Sequence, residues 1–130
     1  MTDKRIGKLQ DAITKHNLAG TLLFYSRDVY YYTGTAQSSY LAVLPDRYQL
    51  YITSGYEFAV QDVFIDSNRV TAERRLQKIY DEQFKDTENR VLGLELDILP
   101  VNRFNDIQQI FQGFQFVNLS PIVYDQRTVK

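Results

Sequence analysis

Few residues of this 130-residue sequence are of the types that carry out acid–base, nucleophilic or metal chemistry. It contains one His and no Cys, which excludes disulfide scaffolds, thiolate zinc sites and cysteine nucleophiles. His16 stands beside charged residues at a predicted helix end. Because a metal site needs several converging ligands, we expect a solvated or capping role for this side chain. The composition is therefore poor in catalytic chemistry.

The carboxylates include one pair whose spacing suits chemistry. Glu95 and Asp97 are two residues apart at the end of a predicted strand. They can therefore face the same side of the chain and bind a metal or exchange a proton. A buried or capping carboxylate at a strand-to-helix junction is the more ordinary role for both. Glu57, Asp62 and Asp66 lie on or just after a predicted helix and are expected to face solvent.

Motifs for nucleophilic catalysis and for nucleotide binding are absent from the sequence. No serine has the Gly-x-Ser-x-Gly context of a nucleophile elbow. Neither Gly-x-Gly-x-x-Gly nor a phosphate loop ending in Gly-Lys-Ser or Gly-Lys-Thr occurs. Arg74, Arg75 and Lys78 share a predicted helix with Asp81 and Glu82, which is typical of a solvated face. The net charge of −1, from 15 Lys and Arg against 16 Asp and Glu, argues against nucleic acid as a partner.

Length and hydropathy indicate one folded domain over residues 1–130. The chain is 44% hydrophobic and 24% charged, which is ordinary for a globular domain of this length. Residues 1–8 are charged and lack the apolar segment of a signal peptide. The longest apolar runs, such as residues 20–25, are far shorter than the roughly 20 residues that cross a bilayer. We therefore expect no membrane partner and a cytoplasmic location.

Hydrophobic spacing predicts helices that alternate with strands along the chain. Helices are predicted over residues 3–18, 55–64, 73–84 and 100–111, with a further helix from Ser120. Strands are predicted over residues 21–25, 40–44, 48–53, 69–72, 89–95 and 116–119, the second and third joined in a hairpin by residues 45–47. The alternation predicts an α/β domain in which helices flank a mixed β-sheet of five or six strands.

Aromatic residues are unusually abundant, with 10 Tyr, 8 Phe and no Trp making 14% of the chain. A tyrosine-rich sheet is the ordinary explanation, and an aromatic recognition surface is the alternative. The run of tyrosines at positions 30–32 favours a strand by propensity. The cap signal at residues 26–28 and Gly34 as a stop instead favour a short helix there.

Five blocks of the sequence follow one another in a recognisable order. The first block has Arg5 and Leu9 in the first helix, followed by Leu18-Ala19-Gly20-Thr21-Leu22-Leu23. The second is Asp28-Val29-Tyr30-Tyr31-Tyr32-Thr33-Gly34, and the third is residues 53–59. The fourth is Val91-Leu92-Gly93-Leu94-Glu95, and the fifth is Ser120-Pro121-Ile122 with Arg127 and Lys130. Over nearly the whole chain they resemble the N-terminal domain of the creatinase/prolidase/aminopeptidase P family. The segment 28–34 is similar to that family's Asn-x-x-Tyr-Leu-Thr-Gly signature. It departs from the signature in Asp28, in Tyr32, and in Thr35 where Phe commonly follows.

The resemblance implies that residues 1–130 form a single non-catalytic N-terminal domain. In that family a C-terminal pita-bread domain, absent from this chain, holds two divalent metal ions. Mn, Co or Zn is therefore expected there, and no cofactor is expected in this chain. The implied parent protein is a metallopeptidase, an Xaa-Pro dipeptidase or aminopeptidase, to which this chain contributes no bond-breaking residue.

The same resemblance implies partners and site residues. The expected partners are the protein's own C-terminal catalytic domain, a second copy in a homodimer and, through the parent enzyme, short proline-containing peptides. The implied substrate-access or partner-facing loop comprises Thr35, Ala36, Gln37, Ser38, Ser39 and Tyr40. Structural roles in the family motifs are implied for Asp28, Tyr31, Thr33, Gly34, Tyr56, Gly93 and Glu95. Asp28 is further expected to cap the short helix as Asn would.

Two alternatives of different classes remain open. Some proteins keep this fold without metal ligands and act as binding modules, histone-chaperone subunits among them. Others use it in a creatinase-like amidinohydrolase, whose substrate would call for charged or aromatic groups near the access loop. Residues 35–39 offer none, which disfavours that substrate.

Overall fold

The computed structural model describes residues 3–128, and within them six strands form one mixed sheet. The strands are β1 (Gly20–Leu23), β2 (Ser39–Leu44), β3 (Arg47–Ile52), β4 (Val70–Ala72), β5 (Val91–Leu94) and β6 (Gln115–Asn118). The helices are α1 (Asp3–Lys15), α2 (Ser26–Thr33), α3 (Tyr56–Asp62), α4 (Leu76–Gln83), α5 (Val101–Ile110) and α6 (Ser120–Thr128). The predicted α/β fold is confirmed, with element ends shifted by a few residues.

The sheet has the order β4-β3-β2-β1-β5-β6. The hairpin partner β2 runs antiparallel to both β1 and β3, whereas the β3–β4, β1–β5 and β5–β6 pairs are parallel. Every strand except β2 therefore points the same way, and their carboxyl ends share one edge of the sheet. We call this the carboxyl edge. Chain segments that leave β1, β3, β4, β5 and β6 meet there.

Helices cover the two faces of the sheet unequally. Helices α1, α2, α3 and α6 pack on what we call the four-helix face, around a buried cluster that includes Leu9, Ile13 and Tyr32. Helices α4 and α5 pack on the two-helix face, around Phe84, Phe111 and Phe114. The buried strands β1 and β2 contribute alternate side chains to the two clusters, which explains why their sequences are nearly continuously apolar.

The segment after β1 is a helix, as the stop at Gly34 indicated, although its predicted start is wrong. Helix α2 begins at Ser26, its N-cap is Tyr25, and no side chain caps it. Gly34 adopts φ 96° and donates its N–H to the carbonyl of Tyr30 at 2.8 Å. Helical spacing buries Val29 and Tyr32 on one face, and this burial outweighs the strand propensity of tyrosine. The expected capping role of Asp28 is also wrong, since its carboxylate lies against another helix.

Across residues 3–128, none of the helices has the length and apolar character needed to span a bilayer.

Candidate functional site

Two buried carboxyl groups lie close together at the carboxyl edge. Glu95 directly follows β5, and Asp28 lies in the first turn of α2. Both are buried, at 1% and 5% exposure. With Tyr32, Gln126 and Arg127 they form what we call the carboxyl cluster. The cluster joins three elements: the end of β5, helix α2 and the last turn of α6.

Glu95 is held by the backbone that leaves β1. Its Oε1 accepts hydrogen bonds from the amides of Phe24, at 2.8 Å, and Tyr25, at 3.1 Å. Burial, and then a side-chain hydrogen bond with Asp28, raise the pKa of Glu95 well above its usual range, against the lowering effect of the two amides. Burial therefore favours the neutral form of the Glu95 carboxyl group. Its side chain ties β5 to the start of α2 across the central part of the sheet.

Asp28 forms an ion pair with the C-terminal helix. Its Oδ1 lies 3.1 Å from Nε of Arg127, and the two side chains are 7% and 21% exposed. The N–H of Arg127 is not aimed at the oxygen, so the contact is an ion pair without a hydrogen bond. At this depth the Coulomb attraction is weakly screened. The pair therefore links α2 to the last turn of α6.

Two tyrosines of α2 extend this link. The hydroxyl of Tyr32 donates to Oε1 of Gln126 at 2.6 Å, and that of Tyr31 donates to the Gln126 carbonyl at 3.1 Å. Burial raises the pKa of Tyr32 far above its usual range. The neighbouring Tyr31, Asp28 and Glu95 raise it further, by smaller amounts. The Tyr32 hydroxyl thus stays a donor. Together these bonds satisfy polar atoms that packing of α6 on α2 would otherwise bury unpaired.

The predicted access loop is anchored at both ends. Thr35 is buried and its hydroxyl donates to Asp62 at 3.4 Å, while Ser39 and Tyr40 are buried at the start of β2. Ala36 and Ser38 are exposed, and Gln37 is partly buried. The structure therefore presents a short protruding tip, residues 36–38, rather than the whole of residues 35–40.

The tip packs against the segment that follows β3. The hydroxyls of Ser38 and Thr53 are 2.8 Å apart, and the amide of Thr53 donates to the Ser38 carbonyl. Gly55 has φ 80°, and a Cβ built on it would lie 2.3 Å from Oε1 of Gln37. Gly55 thus allows both the left-handed turn and the close approach of Gln37. The loop position depends on this glycine.

A groove runs beside the tip, between the ends of β3 and β4. It has a volume of about 540 Å³ and is lined by residues 52–57 and 72–75. Tyr56 lines it and is partly exposed. Glu73 also lines it and accepts hydrogen bonds from the side chain and backbone of Arg75, which hold the pKa of that carboxyl below its usual range. The carboxyl cluster, the tip and the groove thus all lie along the carboxyl edge.

Gly93 and Thr33 have packing and backbone roles. A Cβ on Gly93 would lie 3.2 Å from Leu119 and 3.3 Å from Leu18, so glycine allows α6 and the α1–β1 turn to approach β5. The hydroxyl of Thr33 donates to the Val29 carbonyl at 2.7 Å. These contacts give physical reasons for the glycine and threonine of the two motifs.

Glu95 and Asp97 are not brought together. Asp97 is exposed and its carboxylate accepts a hydrogen bond from the hydroxyl of Ser120, whereas Glu95 turns inward toward Asp28. His16 is exposed at the end of α1, as expected. Glu57, Asp62 and Asp66 are exposed, also as expected. Within the described part of the chain, no three His, Asp or Glu side chains are grouped so that they could hold a metal ion.

The partnership of Asp28 with Glu95 and Arg127 was not predicted. The sequence carried a partial signal, because Asp28 and Tyr32 are four residues apart and so share a face of α2. Arg127 belongs to the last of the five sequence blocks. Nothing in local spacing indicates that the end of β5 and the last turn of α6 meet at this face.

Comparisons with known proteins agree with this architecture. The family model described as Creatinase/Prolidase N-terminal domain matches residues 5–129. A proline dipeptidase from Streptococcus pneumoniae TIGR4 superposes with a TM-score of 0.80 at 20% identity, covering 96% of this chain and 98% of that chain. An Xaa-Pro aminopeptidase P from Streptococcus thermophilus gives 0.81 at 15% identity, with 98% of both chains covered. No curated protein matches the sequence significantly.

A longer structure shows the same fold as part of a larger chain. The prolidase from Pyrococcus horikoshii OT3 superposes with a TM-score of 0.79 at 20% identity, covering 98% of this chain but 35% of that chain. At such identities the likeness establishes the fold. This chain therefore corresponds to about a third of that prolidase chain.

Proposed function

This chain belongs to the creatinase/prolidase N-terminal domain family, and we propose that it serves as the non-catalytic N-terminal domain of an Xaa-Pro dipeptidase or aminopeptidase. The observation that carries the proposal is the match of residues 5–129 to the family model, together with the superposition on part of a longer prolidase chain. In this proposal residues 1–130 form one domain, and a C-terminal catalytic domain is its first partner. The assembly acts in the cytoplasm on short proline-containing peptides.

Catalysis in this proposal belongs to the second domain. Two divalent ions, Mn, Co or Zn, would bind there and activate water for attack on the peptide carbonyl. The residues of the present chain bind no ion and donate no proton to the substrate. Their contribution is to position a surface beside the catalytic domain.

We assign that surface to the carboxyl edge, with the tip at residues 36–38 as the part that restricts access. The tip protrudes while its flanks, Thr35 and Ser39, are buried, so its position is well defined relative to the sheet. In a homodimer it would face the active site of the second copy. Uncharged residues at the tip suit passage of a short neutral peptide better than binding of a charged one.

The main test compares the isolated chain with a longer protein that includes the C-terminal domain. Hydrolysis of an Xaa-Pro dipeptide is measured with Mn²⁺ or Co²⁺ added. The longer protein is expected to be active and the isolated chain inactive. Activity in the isolated chain would overturn the assignment, and a longer protein that neither binds metal nor hydrolyses the peptide would point to a binding module.

The role of the tip is tested in the longer protein with Ala36→Lys. The matched control is Ser67→Lys, which adds the same charge at an exposed residue ahead of β4, on the opposite edge of the sheet. The tip variant should change kcat/KM unequally across a panel of Xaa-Pro peptides while metal content stays constant. Equal behaviour of both variants would remove the access role and leave the domain assignment intact.

A further inference from the structure

Three buried polar atoms without a hydrogen-bond partner occur in one place. Among the described residues four such atoms are found, and Oδ1 of Asp28, Oε2 of Glu95 and Nε of Arg127 are three of them. Buried polar atoms are almost always paired, because an unpaired one costs about 1–3 kcal/mol. Oδ1 of Asp28 and Nε of Arg127 are partners in the ion pair, so Oε2 of Glu95 is the atom that calls for an explanation.

A proton between the two carboxyl groups supplies one. The Asp28 and Glu95 side chains are in hydrogen-bonding contact, yet an ionised carboxylate has only acceptors. Two ionised carboxylates in contact would repel each other, which is why neighbouring carboxyl groups in other proteins share a proton. Oε1 of Glu95 already accepts two backbone amides, so its free Oε2 is the atom able to carry the hydrogen.

The charges around the cluster identify which carboxyl group carries it. Arg127, from α6, lies beside Asp28 and balances one negative charge. The end of β1 contributes only the two amides to Glu95, and α2 contributes Asp28 itself with the tyrosines Tyr31 and Tyr32. Of these groups in the described chain, Arg127 is the one cation facing two acids. This counterion favours the negative charge on Asp28, and the proton on Glu95.

We propose that Glu95 keeps a proton in the folded domain at neutral pH and uses it to donate a hydrogen bond to the Asp28 carboxylate. Loss of this proton in alkaline solution then releases the last turn of α6. With both acids ionised, Arg127 faces two charges that repel each other, and one of them has no partner. Helix α2 and the end of β5 would move apart. The bonds of Gln126 to Tyr31, Tyr32 and the Lys8 carbonyl lie in the same turn of α6 and would open with it.

The protonation state can be measured directly in the unmodified chain. Carbon-13 NMR follows the side-chain carboxyl resonance of Glu95 through a pH titration, with Glu95→Gln used to assign the signal. The resonance is expected to remain that of a neutral acid at pH 7 and to change only in alkaline solution. A carboxyl that titrates below about pH 5, as a free Glu does, would overturn the proposal.

Release of α6 is measured by hydrogen exchange of its amides. After correction for the intrinsic rate, exchange in residues 120–128 of the unmodified chain should rise at least about tenfold from pH 7 to pH 9.5, the equivalent of one pKa unit. Glu95→Gln keeps an acceptor for the two amides and a donor for Asp28, so its exchange should not change. Helix α4, on the other face, is the internal control. Equal pH responses of α6 and α4, or of the two proteins, would refute the release.

Discussion

The two faces of the sheet are stabilised by different kinds of contact. On the two-helix face Phe111 packs against Tyr80, Phe84 and Phe114 with ring centroids 4.9–5.3 Å apart. On the four-helix face an aliphatic core is joined to the carboxyl cluster, where a proton and one cation balance two acids. Apolar burial is non-directional and independent of pH, whereas a buried polar cluster is directional and depends on protonation.

This difference explains the aromatic surplus of the sequence. A structural role accounts for most of the aromatic residues, because the phenylalanines concentrate on the two-helix face and Tyr32 and Tyr51 are buried in the two cores. The exposed aromatic side chains, which include Tyr30, Phe58 and Tyr124, are a minority of the aromatic residues. The signature segment, residues 28–34, lies instead on the four-helix face, beside the buried carboxyl groups of Asp28 and Glu95.

The largest effect is expected from truncation of the aromatic core. Phe111→Ala should lower the free energy of unfolding by about 3–5 kcal/mol, from lost burial and the cavity that remains. Urea denaturation at pH 7 measures it. Phe58→Ala is the control, because Phe58 is 60% exposed and its loss should change stability by less than about 0.5 kcal/mol. A similar loss in both variants would contradict the packing of this face.

A smaller loss is expected from breaking the ion pair on the other face. Arg127→Met should cost about 2–3 kcal/mol, since it leaves the Asp28 charge buried without its counterion. Adding Asp28→Asn to that variant should restore part of the loss. The coupling is read from a double-mutant cycle in urea. Additive losses would mean that the 3.1 Å contact contributes nothing to stability.

The ends of α2 and α5 provide a matched glycine comparison between the faces. Gly34 and Gly113 both have positive φ, 96° and 86°. A Cβ on Gly34 would lie 2.8 Å from the Asp62 carbonyl and from the Phe64 ring, whereas one on Gly113 would meet nothing within 4 Å. Gly34→Ala should therefore cost about 2 kcal/mol, and Gly113→Ala about 1 kcal/mol from backbone strain alone. Thermal or urea unfolding distinguishes the two, and equal costs would argue against a close contact at Gly34.

The pH dependence of stability is expected to belong to the four-helix face alone. A raised pKa for Glu95 means that the folded state binds the proton more tightly than the unfolded state. Its contribution to stability is full below about pH 4.3, the ordinary Glu value, and is lost as pH rises through the folded-state value. The free energy of unfolding should fall by at least about 1.4 kcal/mol toward alkaline pH.

Two variants sharpen that prediction. Glu95→Gln should flatten this part of the pH profile, and Phe111→Ala should lower the whole profile without changing its slope. An unchanged slope in Glu95→Gln would show that another group causes the dependence.

Local patterns predicted the elements well because they depend on local chemistry. The hairpin at residues 45–47 and the stop at Gly34 follow from turn chemistry and from glycine's access to positive φ. The predicted start of α2 is wrong, because the prediction took the polar side chains at residues 26–28 to cap the local backbone, and no side chain caps this helix. Asp28 instead pairs with Arg127, near the other end of the chain.

By itself the sequence determined the alternation of helices and strands, the poverty in catalytic groups and the resemblance to the family that residues 5–129 match. Each of these depends on residue types and on spacing within single elements. Only the tertiary structure decided the strand order, the burial of Thr35 and Ser39 at the flanks of the loop, and the meeting of Asp28, Glu95 and Arg127. The physical reason is that burial and charge balance depend on neighbours distant in sequence, and these become neighbours when the sheet forms.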